Sequence, residues 1–283
     1  VLIAGPGYVG GALAERLVAA RHEVILLRRR STGALPGARE IEGDLTEPGS
    51  LSALPECDAV AFTAGPDQSS EATYRRLYVE GLTHLLEALR ARGAAERLPR
   101  VVMTSSTAVY GQSAGEWVDE ETPATAKHWT GACLLEAEGV LRASGFPQVV
   151  LRLGGIYGPG RERILDSVMR GEARIPEGPT RWVNRNHRTD CARALEHLLF
   201  LERPETVYLG TDSEPADQRE FLGWLARELG APQPVTGAES RRNGGGNKRC
   251  RNARLLGTGF TFAYPTFREG YGELIAARRA RAG

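Results

Sequence analysis

Cysteine is scarce. The 283 residues hold four, Cys57, Cys133, Cys191 and Cys250, far apart and with no C-x-x-C pair. A disulfide framework is therefore not what organises a chain of this length, and reduced thiols in a cytoplasm are the expectation. An excess of charge is also missing. Lys plus Arg number 36 and Asp plus Glu 35, a net charge of +1, so broad attraction to nucleic acid or to an acidic membrane is not expected. No apolar run reaches the roughly 18 residues that a membrane-crossing helix needs. There is no internal repeat and no expected metal site. What remains is 41% hydrophobic and 25% charged, ordinary for a globular protein. The length suits one large domain, or a main domain with a smaller one attached.

The first half alternates short apolar runs with helical patterns. "VLIAG" (1–5), "EVILL" (23–27), "DAVAFTA" (58–64), "PRVVMTSS" (99–106) and "PQVVLRLGG" (147–155) read as buried strands. Between them, 10–20, 74–93 and 130–145 read as helices, the second with Leu82, Leu85, Leu86 and Leu89 at helical spacing and Gly93 as its stop. Continuously apolar strands alternating with helices predict a doubly wound parallel sheet, helices on both faces. Its ligand site lies at the carboxyl ends of the strands, where strand order reverses. Beyond about 155 the pattern breaks into short helices (161–172, 191–202, 219–230) and a strand at 206–210. The expected division is a dinucleotide-binding domain over 1–155 and a small irregular lobe over 156–283, with late elements returning to the main sheet. The segment 240–252, three glycines among basic residues, is expected to be mobile.

"GPGYVG" (5–10) matches G-x-G-x-x-G directly after a strand and at the start of a helix. Gly5 permits the tight turn, Gly7 lets the backbone approach a pyrophosphate, and Gly10 lets helix and strand pack closely. Tyr8 and Val9 lie between them, at the helix amino terminus that offers N–H groups to the anion. The second strand runs into Arg28-Arg29-Arg30, with no carboxylate where the ribose hydroxyls of NAD would want one. Guanidinium groups suit the extra phosphate of NADP, which is favoured over NAD. "GDLTEP" (43–48) leaves two readings open. Asp44 could receive the adenine amine with Leu45 against the ring, or the segment is a helix cap with its proline at the first helical position.

Together these residues resemble the extended short-chain dehydrogenase/reductase family, which includes NAD(P)-dependent nucleoside-diphosphate-sugar epimerases and dehydratases. "SSTAVYG" (105–111), "LRLGGIYGPG" (151–160), "RNHRTDCARAL" (185–195) and 208–230 are similar to successive family segments. The resemblance implies a Rossmann-type fold, cofactor contacts from Gly5, Gly7, Gly10, Arg28, Arg29, Asp44, Leu45, Ala64 and Gly65, and Ser106 as the hydroxyl that binds the substrate oxygen. It further implies a small-molecule substrate, a sugar nucleotide or similar carbonyl or carbinol compound, with Tyr157 and Arg161 as substrate contacts. The state would be a monomer, or a homodimer through the helices at 74–93 and 130–145.

The departures mark an atypical branch. Ala4 stands at the first glycine of the family's opening motif, and Tyr78 where a helix-borne Asn is expected. In "HWTGACLLEAE" (128–138), Gly131 and Glu138 match "Y-G-x-S-K-x-x-x-E", which puts Thr130 at the catalytic tyrosine and Leu134 at its lysine. A tyrosine of pKa about 10 becomes a usable base beside an ammonium; a threonine hydroxyl does not. Thr130 could still orient a substrate oxygen. Loss of a positioned acid–base group costs about two to four orders of magnitude. Lys127 and His128 precede Thr130, and Trp129 reads as a lid over the site. The alternative reading is an NADP(H)-binding sensor or scaffold with little catalysis.

Overall fold

A computed structural model of the chain describes residues 1–33, 35–92, 97–237 and 246–282. Gly93, the expected helix stop, and the first part of the glycine-rich basic segment lie outside them. The chain divides into two compact units. The first comprises 1–109, 124–152 and 192–208; the second comprises 110–123, 153–191 and 209–283. Residues 192–208 group with the sheet unit and 110–123 with the second unit.

The first unit is built on β1 (Leu2–Ala4), β2 (Val24–Arg28), β3 (Ala38–Glu42), β4 (Ala59–Phe62) and β5 (Arg100–Ser106). After a short β6 (Glu116–Val118) in the second unit come β7 (Gln148–Leu153) and the strand Val207–Gly210. The seven-stranded order is Val207–Gly210, β7, β5, β4, β1, β2, β3, and every pairing from β3 through β5 is parallel. This is the doubly wound α/β sheet that the alternation predicts. Order reverses between β1 and β4, so their carboxyl ends frame the crevice. Leu2, Ile3, Val60, Ala61, Val101 and Val102 are fully buried, as strands covered on both faces must be.

α1 (Tyr8–Ala19) buries Leu13 and Leu17. The helix expected at 74–93 starts earlier and is not uniform. It opens as α2 (Glu71–Tyr74), capped by the Ser70 hydroxyl, continues as a π-helical stretch over Arg75–Glu80, and ends as α3 (Gly81–Arg92). π-Helical stretches often mark functional sites, and hydrophobic spacing does not reveal them. α4 (Trp129–Ala143) follows, capped by the His128 side chain.

The second unit packs α5 (Arg163–Met169), α7 (Gln218–Leu229) and α9 (Phe267–Ala282) around Tyr157, Leu165, Phe221, Phe267 and Tyr271. In chain order α6 (Arg188–Phe200) lies between α5 and α7, and a short α8 spans Ala253–Gly257. Two small parallel pairings, Gly155–Tyr157 with Arg185–His187 and β6 with Lys248–Cys250, were not legible as strands. Within the described residues no helix is long and apolar enough to cross a membrane.

Candidate functional site

The loop from β1 into α1 has the geometry its glycines predict. Gly5 sits at φ +84°, and a Cβ on it would lie 2.3 Å from the Ala64 Cα. A Cβ on Gly10 would lie 2.3 Å from the Thr63 hydroxyl and 2.7 Å from the Gly5 carbonyl oxygen. These two positions therefore exclude any side chain because backbone packs against them. Gly7 is different: the nearest atom to its Cβ position is 4.0 Å away, so space remains for a ligand to approach the backbone. Gly65 likewise faces open space. The first turn of α1 carries no acidic residue, which leaves the positive end of the helix available to an anion.

A cavity of about 750 Å³ opens on this turn, within the size range of small-ligand pockets. Gly5, Gly7, Arg28, Arg29, Asp44, Leu45, Ala64 and Gly65 all line it, so residues far apart in sequence converge. Tyr8 is half-buried at the start of α1, and Val9 and Gly10 are buried in its first turn. Arg28 ends β2 and pairs with Glu40 of β3 at 3.2 Å. Arg29 pairs with Asp67 at 2.6 Å, both side chains more than 60% exposed. The Asp44 carboxylate accepts from the Thr46 N–H at 2.9 Å and from its hydroxyl at 2.8 Å. It thus orders the turn before Pro48, the first residue of a short 3-10 helix. Both sequence readings of "GDLTEP" are compatible with this arrangement.

The second corner lies at the end of β5. The Ser106 hydroxyl accepts from the Ala108 N–H at 3.1 Å. The start of α4 packs tightly on that turn: a Cβ on Gly131 would lie 2.3 Å from the Ala108 carbonyl oxygen. Ser106 and Thr130 thus belong to one packed corner of the first unit. The Thr130 hydroxyl and the His128 Nδ1 are 3.0 Å apart, and Nδ1 also accepts from the Thr130 N–H at 3.4 Å. Leu134, at the position of the family lysine, is 5% exposed and part of the core.

Sequence reasoning missed two features here. Aromatic rings run from β4 to this corner: Phe62 to Tyr78 at 6.4 Å, Tyr78 to Tyr74 at 5.3 Å, and Tyr74 to Trp129 at 5.0 Å. Burial raises the pKa of both tyrosines, keeping their phenols neutral. Trp129, read as a lid, packs on this row. The second feature is a buried ion pair. Glu138 and Arg152 are 1% and 5% exposed and meet at 2.6 Å. Ser105 donates to the same carboxylate at 2.7 Å. The pair joins α4, β5 and β7, fixing the helix that carries Thr130 against the strand that carries Ser106. The match of Glu138 to the family segment was its only sequence signal.

The remaining candidates lie in the second unit. Tyr157 is 2% exposed, stacked on Tyr271 at 4.1 Å and edge-on to His187 at 5.2 Å. It is a core side chain of that unit. Arg161 is exposed beside Gly158, to whose carbonyl its N–H donates at 2.9 Å. His187 is buried, its Nδ1 accepting from the Thr189 N–H at 3.3 Å. Among the described residues no group of His, Cys, Asp and Glu is placed to hold a metal.

A glycine turn at the reversal point of a doubly wound sheet, opening on a cavity with cations at the second strand, defines a Rossmann-type dinucleotide-binding protein. The model of the NAD-dependent epimerase/dehydratase family matches residues 1–199, and the chain belongs to that family. It is 30% identical to the 3-diazoavenalumate denitrifying reductase of a Streptomyces species, over 96% of this chain and 99% of the relative. A solved structure from Methylobacillus flagellatus, classed with the NAD-dependent epimerase/dehydratases, shares 37% identity. It superposes with a TM-score of 0.81 over 98% of both chains. The solved complex of MoeE5 with UDP-glucose and NAD shares 25% identity and a TM-score of 0.81, over 100% of this chain and 99% of that one.

Proposed function

We propose that the protein binds NADP in preference to NAD and uses it for hydride transfer on a carbonyl or carbinol compound, a sugar nucleotide or a molecule of similar chemistry. The observation that carries this reading is the glycine turn and its cavity. Gly5 and Gly10 are closed to side chains, while Gly7 is left open where a pyrophosphate would approach. Arg28, Arg29, Asp44 and Leu45 line the same cavity, groups that suit the ribose and base of a dinucleotide. The reductase relative and the MoeE5 complex with UDP-glucose and NAD support the reaction and substrate classes.

The cofactor, when bound, supplies or accepts the hydride. This chain's residues do the rest. The α1 amino terminus and the Gly5–Gly10 backbone would hold the pyrophosphate. Ser106 and Thr130 would hold the substrate oxygen by hydrogen bonds. The His128 imidazole is joined to Thr130, and with Leu134 in place of lysine it offers a proton route to that hydroxyl. A step helped by orientation and a shared imidazole is slower than one run by a tyrosine–lysine pair, so low turnover is expected.

The reading is tested by titrating the protein with NADPH and NADH and following nicotinamide fluorescence. NADPH should bind more tightly, and clearly tighter NADH would overturn the preference. Addition of UDP-glucose and related sugar nucleotides should then change the redox state of bound cofactor, and Ser106→Ala should suppress the change. Micromolar cofactor binding with no redox change across a broad carbonyl panel would favour a cofactor-binding protein without catalysis.

A further inference from the structure

The carboxyl end of β2 carries an anion site already filled by the protein itself. The Glu40 side chain, on the neighbouring strand β3, is 9% exposed. It accepts hydrogen bonds from the Ser31 hydroxyl, from the Thr32 N–H at 2.6 Å, from the Gly33 N–H at 3.0 Å and from the Thr32 hydroxyl at 3.3 Å. The Arg28 guanidinium stands 3.2 Å away and also donates to the Thr32 hydroxyl. The N–H groups of Thr32 and Gly33 converge on one Glu40 oxygen, with Gly33 in the left-handed region at φ +59°. Successive N–H groups turned inward in this way form a concave cradle for an anion. Glu42 holds the same loop by accepting from the Ser31 N–H at 2.8 Å but has no part in the cradle.

These donors are what a phosphate monoester would use: two backbone N–H groups, two hydroxyls and a guanidinium. Two members of the cradle, Arg28 and Thr32, line the cofactor cavity. Arg28, Arg29, Arg30 and Thr32 line the cavity at the end of the second strand, the position that reads the ribose. Glu40 holds its proton weakly. The Ser31 hydroxyl, then the Gly33 and Thr32 N–H groups, then Arg28 pull its pKa down to about 2. It is therefore a carboxylate at any working pH.

We propose that Glu40 is a tethered stand-in for the ribose 2′-phosphate: it occupies the 2′-phosphate cradle of this site and must be displaced for NADP to bind there. The inference rests on the cofactor reading above and deepens it. Glu40 is a specificity-determining residue that acts against the arginines. It keeps the Ser31–Gly33 turn folded in the free protein and lowers the advantage of NADP over NAD. NAD, lacking the phosphate, does not compete with it. Arg29 pairs with Asp67 where both side chains are exposed, while Arg28 belongs to the cradle that Glu40 fills.

The test is calorimetric titration of the full chain and of Glu40→Gln with NADP⁺, NAD⁺ and adenosine 2′-monophosphate. Glutamine keeps an acceptor oxygen for the turn and loses the charge. NADP⁺ and adenosine 2′-monophosphate should bind Glu40→Gln about tenfold more tightly, equivalent to about 1.4 kcal/mol, with NAD⁺ affinity unchanged within about twofold. Glu42→Gln, which also touches the turn, should leave the NADP⁺-to-NAD⁺ ratio as in the wild type. Equal or weaker NADP⁺ binding by a folded Glu40→Gln, with wild type still binding dinucleotide, would overturn this proposal and leave the cofactor reading intact. Failure of the wild type to bind either dinucleotide would overturn both.

Discussion

Substituting Glu138 by alanine tests whether the buried ion pair holds the corner of Ser106 and Thr130 together. The carboxylate receives the Ser105 hydroxyl at 2.7 Å, the Arg152 Nε at 3.1 Å and the Arg152 Nη2 at 2.6 Å, with exposures of 1% and 5% for the two charged side chains. Removing one member of such a pair leaves the other charge buried without its counter-ion, which costs about 3–5 kcal/mol. Losing the serine's acceptor adds about 1 kcal/mol. Against a typical stability of about 5–15 kcal/mol, this is a large fraction of the whole. The melting temperature should fall by about 8–24 °C, at roughly 2–4 °C per kcal/mol for a domain of this size. The assay is urea unfolding followed by tryptophan fluorescence, alongside scanning calorimetry. A Glu138→Leu/Arg152→Leu double variant should regain most of the loss, because it removes both charges and leaves apolar side chains. A single variant that loses less than about 1 kcal/mol would refute the reasoning. So would a double variant no better than the single.

Other perturbations reach other parts of the molecule. Gly10→Ala places a methyl group 2.3 Å from the Thr63 hydroxyl, so the α1 start must shift, and NADPH affinity should fall more than tenfold in a fluorescence titration. Asp217 caps α7 by accepting from the Arg219 N–H at 2.8 Å; Asp217→Ala should cost about 1 kcal/mol in urea unfolding. Burial lowers the His187 pKa to about 4 from the 6.5 of an exposed imidazole. The unfolded chain then binds a proton that the folded one refuses, so stability should be full above pH 6.5 and fall as pH drops from 6.5 towards 4. Comparing melting curves of wild type and His187→Asn over that window should show a shallower fall in the variant; parallel curves would exclude His187 as the cause.

The inner strands of the sheet were legible because they are short, apolar and regularly interrupted, whereas the charged edge strand Ala38–Glu42 gives no such signal. The glycine turn was legible because Gly5 and Gly10 each meet a steric demand that no other residue satisfies. Other features were hidden where sequence distance and structural proximity part. Nothing local to Glu40 says that it folds back on Ser31, Thr32 and Gly33 in the loop before its own strand. Nor does the spacing of Phe62, Tyr74 and Trp129 show that an aromatic row links them through Tyr78. The C-terminal helix Phe267–Ala282 was not read from the sequence, where arginines interrupt its apolar spacing; Arg278 reaches Asp166 at 2.6 Å and Arg281 reaches Glu162 at 3.6 Å.

The first unit's three separate stretches of chain bear on how it is made. Its sheet gains an edge strand only from Val207–Gly210, after the chain has passed through 153–191. During synthesis, β7 must wait with one side unpaired until some fifty further residues have emerged. A fragment cut at 155 would carry the whole glycine turn and cavity yet expose that apolar edge, and it should associate with copies of itself rather than stay dispersed. Cofactor binding and solubility therefore have different minimum lengths in this chain. Anyone trimming it to the nucleotide site has to keep a strand that lies far beyond that site in sequence.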